Sequence, residues 1–415
     1  MPLGPPPALS SAPEPARERI ISLDLVRGVA ILGLVPAHIL LFGVPVDINT
    51  MQPLDMDDAP LSGLFMFLRH VIVDGRFMFL FAMLFGAGVM FFDRKMPGPS
   101  IGAGTGLWMR RMGALAFIGL LHGVLLFYGD ILMLYAITGM VAVWWLRRVP
   151  IGALLLIAGV AFLFGVSVFG CFGAMMFHPA FADPDGGGNT SGMTFFEGFG
   201  TFEGQMAAWG GTFGSALKER VIMLIFSYMA IPFVTIWLAL CPMLVGVVLM
   251  RSGVLTGERG PGIEWKLAGI GLTVGLAVTV PLHFVFMAWD HPASGVVWFA
   301  VVYSTAVPMG LGYLGLLLLI ARYGVLKPVQ IAIASVGRMA LSNYLLQSLL
   351  MGLIFYGYGL GYYGTLEFGG LFIVIGVVWI ANIVGSLVWL RFCRYGPVEW
   401  LWRLMTYGKV PWLLR

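Results

Sequence analysis

The chain has 415 residues, of which 59% are hydrophobic and 11% charged, with mean hydropathy +0.92. Soluble domains carry about a quarter charged residues, so a soluble fold is excluded. The net charge of +4 is small and its basic residues lie between apolar runs, which excludes a nucleic-acid surface.

Residues 1–19 are rich in proline and alanine and lack an apolar h-region, which predicts a disordered cytoplasmic leader and not a cleaved signal. The stretch Ile20–Gly43, IISLDLVRGVAILGLVPAHILLFG, reads as the first membrane helix. Arg27 and His38 are eleven residues apart, about 16 Å of helical rise and about 20° from a whole number of turns. They therefore share one face, with a cation at one end and a titratable imidazole at the other.

Apolar runs recur at 25–44, 76–92, 110–128, 131–146, 151–176, 221–250, 266–289, 297–320, 329–356 and 369–391. They predict an all-α polytopic membrane protein with about ten transmembrane helices and a helical domain over 20–391. A shorter piece at 61–73 is expected in the interface, and the long run at 221–250 is expected to kink at Pro232 and Pro242. Basic residues fall in every second connection: Arg94, Arg110 and Arg111; Arg147 and Arg148; Arg251 and Arg259; Arg322 and Lys327; then the tail from Arg391. The alternate connections are acidic or neutral, so both termini are predicted in the cytoplasm. The segment 177–219 is then an extracytoplasmic loop, its aromatic end an interfacial helix or a lid, and 392–415 an amphipathic cytoplasmic tail.

On this topology the polar residues form two layers. His38, Asp74, Arg76, His122 and Asp130 lie toward the outside; Arg27, Arg110, Arg111 and Arg338 lie toward the inside. Ionised groups in a bilayer are costly and persist when paired, hydrated or useful. Several have structural readings as well. Arg27 could anchor the helix by pairing with Asp24, and His122 with Asp130 could close the turn between spans three and four. Asn343 and Gln347, i,i+4 neighbours behind Arg338, could join helices by hydrogen bonds or line a polar cavity. Gly86 and Gly88 would let helices approach closely. Cys171, Cys241 and Cys393 have no metal or disulfide spacing, and no metal is expected.

The motifs SLDLVRGVAILG, LLHGVLLFYGDILMLYAITG, GRMALSNYLLQS and GPVEWLWR resemble the YeiB-like family of bacterial inner-membrane proteins over about residues 20–409. In that family the C-terminal half, here about 220–409, is a domain of unknown function. Its first helix is similar to that of the transmembrane acyltransferases, among them the lysosomal heparan glucosaminide acetyltransferase and the acyltransferase-three proteins that acetylate surface glycans. The acyltransferase-three pattern of an arginine, ten residues and a histidine falls on Arg27 and His38. Many YeiB-like proteins carry asparagine where this chain has His38, a departure that favours acyl transfer for this member and leaves the wider family open.

The resemblance implies transfer of an acyl group, acetyl in the first instance, from cytoplasmic acyl-CoA to an extracytoplasmic small-molecule or glycan acceptor. His38 would act as base or nucleophile, with His122 or His70 as the alternative reactive histidine and Asp130 orienting an imidazole. Arg27, Arg110, Arg111 and Arg338 would hold phosphates, with Arg76, Asn343 and Gln347 completing the binding residues. A small-molecule transporter is the rival reading. The partners expected are the lipid bilayer and the acceptor, with homo-oligomerisation left open.

Overall fold

A computed structural model of the protein describes residues 15–45, 60–94, 104–176, 202–289, 294–408 and 412–414. Among these the backbone is helical, with one isolated bridge between Cys393 and Leu414 and no strand. Residues 1–14 of the expected leader and 177–201 of the expected loop lie outside the described residues. Helix α1 runs Pro15–Gly43, so it takes in the last five residues of the expected leader. Proline at the first helical position followed by Ala-Arg-Glu-Arg is a favourable helix start.

α2 (Ser62–Leu68) continues through a π-helical turn, Arg69–Val73, toward α3 (Arg76–Arg94). The apolar piece 61–73 is thus joined to the second span. α4 spans Thr105–Leu125; α5 (Leu132–Thr138), a π-helical turn and α6 (Trp144–Leu146) together fill the run expected at 131–146. α7 is Ile151–Met176, α8 Phe202–Trp209 and α9 Phe213–Met229. A π-helical turn at Ile231–Thr235, carrying Pro232, leads into α10, Ile236–Arg251. α11 (Pro261–Met287) and α12 (Ser294–Tyr323) form an extensively packed hairpin. The run expected at 329–356 is two helices, α13 (Lys327–Arg338) and α14 (Ala340–Phe355), broken at Met339. α15 is Phe368–Phe392, and α16, Pro397–Tyr407, folds back on α4 and α14.

Among the described residues seven helical stretches are long and apolar enough to cross a membrane, and Leu132–Leu146 and Ala340–Phe355 are shorter apolar helices. The chain is a polytopic membrane protein. α1 is the most enclosed of the seven, with 67% of its apolar window buried against 22% for α7. The exposed faces of α7, α11 and α15 carry residues such as Leu156, Leu163, Ile270, Phe284, Ile373 and Ile380, a surface that suits lipid.

Close helix packing rests on backbone contact at glycines. A Cβ on Gly86 of α3 would overlap the Met243 carbonyl of α10, and one on Gly246 would overlap the Met83 carbonyl in return. Gly88 differs from the expectation: a Cβ there would meet open space, because this residue faces a cavity. The same reciprocity joins α1 to α13, where Gly28 abuts the Ile333 carbonyl and Gly337 the Asp24 carbonyl.

Candidate functional site

A cavity of about 280 Å³ opens near one end of the apolar stretch Ser22–Gly43 of α1, lined by four arginines: Arg27, Arg111, Arg338 and Arg403. Each arrives from a different helix, respectively α1, α4, α13 and α16. The rest of its lining is largely apolar and aromatic, with Phe81 and Phe85 of α3, Trp108 and Leu115 of α4 and Tyr135 of α5. Such a space, lined by both guanidinium groups and apolar side chains, fits an amphipathic anion. Arg27 also makes the expected pair with Asp24, at 2.9 Å, so it lines the cavity with part of its charge already matched. Arg111 lies over the Trp402 ring at 3.7 Å, and the Trp402 indole N–H donates to the Arg111 carbonyl at 2.8 Å. Arg403 lies over Tyr395 at 4.4 Å.

The break at Met339 puts the N-terminus of α14 on the cavity wall, where its free amides add positive potential. Glu399 takes up two of them, accepting from the Leu341 and Ser342 amides at 2.7 and 3.1 Å and from the Ser342 hydroxyl. The Ser342 hydroxyl in turn accepts from the Val398 amide at 3.0 Å, near the start of α16. The two helices cap each other, which fastens the tail helix beneath the cavity.

Burial holds the Glu399 carboxyl above its ordinary value of 4.5, against the lowering effect of the hydrogen bonds it accepts. The native state therefore binds this proton more tightly than the unfolded chain. The group's contribution to stability is fullest below pH 4.5 and falls as pH rises from there through its native pKa. Glu399→Ala is expected to cost about 1–2 kcal/mol through loss of the cap, read by thermal unfolding. Glu399→Gln, which keeps an acceptor, is expected to flatten the pH dependence in that interval.

At the other end of α1, His38 is buried against Phe127, ring centroids 5.1 Å apart. The His122 ring approaches the same Phe127 at 6.3 Å, so the two histidines converge on one phenylalanine. His122 Nδ1 lies 2.8 Å from Asp130 Oδ1, and its Nε2 lies 2.9 Å from Ser348 Oγ on α14. Asp130 Oδ2 accepts from the Met133 amide at 2.8 Å and so fixes the start of α5. α8 packs over this end: Trp209 is buried and stacks on Tyr356 at 5.0 Å.

Among the described residues the remaining candidates lie elsewhere. Arg110 is exposed and its Nε donates to the Met405 carbonyl at 2.8 Å. Arg76 is buried and donates to Thr279 and Thr305, both at 3.1 Å, tying α3 to α11 and α12. Asn343 donates to Ser386 on α15 at 2.8 Å and Gln347 to the Ile31 carbonyl on α1 at 3.1 Å, both of them interhelical bonds. His70 sits on the π-helical turn with its Nδ1 3.1 Å from that of His283. No group of three metal-ligating side chains occurs among the described residues.

Sequence reasoning missed Arg403, Trp402 and Glu399 as cavity residues, and Ser348 as the partner of His122. One signal was present. Arg111 and His122 repeat the spacing of Arg27 and His38, so α1 and α4 each carry an arginine at the cavity and a histidine about 16 Å further along the same face.

The chain is 31% identical over 403 residues to "Uncharacterized protein YeiB" of Escherichia coli (strain K12), covering 94% of this chain and 96% of that protein. The chain belongs to the YeiB-like family. It is also 27% identical to "Uncharacterized protein YxaH" of Bacillus subtilis (strain 168), across 96% of both chains. A match to an "Uncharacterized 39.9 kDa protein in amylase 3'region" of Bacillus acidopullulyticus reaches 35% identity over 25% of this chain and 30% of the other. Residues 249–409 match the family described as "Protein of unknown function (DUF418)", a region that holds α14, α16 and two of the four cavity arginines. No solved structure matches the chain.

Proposed function

We propose that the protein is an acyltransferase of the bacterial inner membrane, taking an acyl group, acetyl in the simplest case, from cytoplasmic acyl-CoA to an extracytoplasmic small-molecule or glycan acceptor. The cavity lined by Arg27, Arg111, Arg338 and Arg403 carries this reading, since four guanidinium groups from four helices match the phosphates of CoA. At about 280 Å³ the space is near the lower end of ligand pockets and takes the diphosphate and part of the pantetheine chain, leaving the nucleoside at the mouth. The apolar part of the lining suits the chain. The histidine layer, His38 and His122 about Phe127, supplies the base for the acceptor proton.

Counting the seven long apolar stretches, the two shorter ones and α4 as spans gives ten, the number that this topology requires. An odd or even count decides where the chain ends. Ten places both termini on one side, and the basic residues Arg94, Arg148, Arg251 and Arg259 favour the cytoplasm for the arginine end.

The test is CoA-dependent thermal stabilisation and acyl-CoA turnover by the purified protein in nanodiscs. Stabilisation in the parent, with turnover reduced about 10²–10⁴-fold in His122→Ala at matched folding, is the expected result. A well-folded parent that CoA does not stabilise would end the acyl-CoA reading. Solute accumulation in vesicles would then favour a transporter, to which the helix break beside the cavity also lends itself.

A further inference from the structure

Ser348, His122 and Asp130 stand in the order of a nucleophile, a base and an orienting carboxylate. The Asp130 carboxylate already accepts from the Met133 amide, and it accepts the Nδ1–H of His122 at 2.8 Å. That leaves Nε2 as the acceptor for the Ser348 hydroxyl at 2.9 Å. A serine within a helix ordinarily returns its hydroxyl to the carbonyl four residues back. Here the Tyr344 carbonyl is 3.4 Å away, so the imidazole is the nearer partner. The three residues come from two helices and the turn before a third, and all are buried.

The relay is also in line with the cavity. Leu115 and Leu341 line the cavity from α4 and α14. His122 and Ser348 each lie seven residues further on, which is about 10 Å of rise on the same helical stripe. Tyr344 sits between on α14, its ring 4.7 Å from that of His122. The lining of the cavity reaches Leu115 and Leu341 and not His122 or Ser348, so an acyl chain has to pass Tyr344 to reach the serine.

We propose that Ser348 is an acyl-carrying nucleophile, activated by His122 and oriented through Asp130, on which the acyl group rests as an oxygen ester between donor and acceptor. This rests on the acyl-transfer reading above and adds a covalent step to it. Ser348 Oγ attacks the thioester carbonyl and its proton passes to His122 Nε2. The C–S bond breaks, and the same proton leaves with the thiolate as the free thiol of CoA. In the second half an acceptor hydroxyl attacks the ester carbonyl and gives its proton to His122 Nε2. The ester bond to Ser348 breaks and Oγ recovers that proton. Asp130 touches neither substrate; it is a positioning residue.

The full chain in nanodiscs is treated with an alkyl fluorophosphonate, and separately with acetyl-CoA followed by acid quench, and peptides are read by mass spectrometry. Adducts on Ser348 are expected with both reagents, absent in Ser348→Ala and cut at least about 10²-fold in rate in His122→Ala. Asp130→Asn should slow labelling and shift its pH profile, which a merely structural carboxylate would not do. Ser348→Cys keeps a nucleophile in a near-isosteric side chain, and its acetyl adduct should become a thioester released by hydroxylamine at neutral pH. Acyl-CoA turnover retained in folded Ser348→Ala would overturn the serine while leaving the acyl-transfer reading intact. Fluorophosphonate labelling of Ser348 in a parent that binds no CoA would support the serine and overturn acyl-CoA as donor. Folded parent with no adduct from either reagent would overturn the relay.

Discussion

Gly337→Leu is expected to destabilise the protein by at least about 1–3 kcal/mol and to remove any stabilisation by CoA. The side chain has nowhere to go, because even a Cβ on Gly337 would overlap the backbone carbonyl of Asp24. A backbone obstacle cannot rotate aside. α13 must move off α1, and the return contact between Gly28 and the Ile333 carbonyl is lost with it. The displacement falls on the cavity, since Arg338 follows Gly337 directly and Arg27 lies one turn from Asp24. Thermal unfolding with and without CoA measures both effects. Gly159→Ala on α7, where a Cβ meets open space, is the control, and is expected to gain up to about 1 kcal/mol from helix propensity. Parent-like behaviour of Gly337→Leu would mean that α1 and α13 do not touch there.

The helices were legible because lipid demands apolar runs, and a run leaves its mark whatever the helix packs against. The break at Met339 was not, since α13 and α14 carry apolar residues on both sides of it and periodicity does not register one residue out of phase. Arg27, Arg111 and Arg338 could be placed together at the inner ends of three spans by counting turns. Arg403 could not: as a tail residue it looks like a topology signal until α16 folds back under α4. The bond between Ser342 and Glu399 spans 57 residues of sequence and that between His122 and Ser348 spans 226. Pairings at such separations are set by how helices pack, which no local pattern records. Arg76 and Gln347 teach the converse. Each is polar in an apolar run, a feature that sequence reasoning ties to function, yet each is occupied in holding helices together.

The four cavity arginines should not contribute equally to binding. A charge-assisted hydrogen bond to a phosphate is worth about 1.5–3 kcal/mol, so Arg111→Gln is expected to weaken CoA binding about 10- to 150-fold. Arg111→Lys should recover little, because the guanidinium lies over the Trp402 ring at 3.7 Å and lysine offers neither the plane nor the fork. Arg27→Gln is expected to have the smaller effect. Its side chain is 33% exposed and already shares its charge with Asp24, so part of the attraction is screened and part is spent. Arg110→Gln separates site from surface: this neighbour of Arg111 carries the same charge but donates to the Met405 carbonyl outside the cavity, and is expected to leave affinity within about 3-fold. Isothermal titration at two salt concentrations reads all four variants. Equal losses for Arg110→Gln and Arg111→Gln would assign the affinity to diffuse surface charge, because a cavity that binds by contact must tell apart two adjacent arginines pointing in different directions.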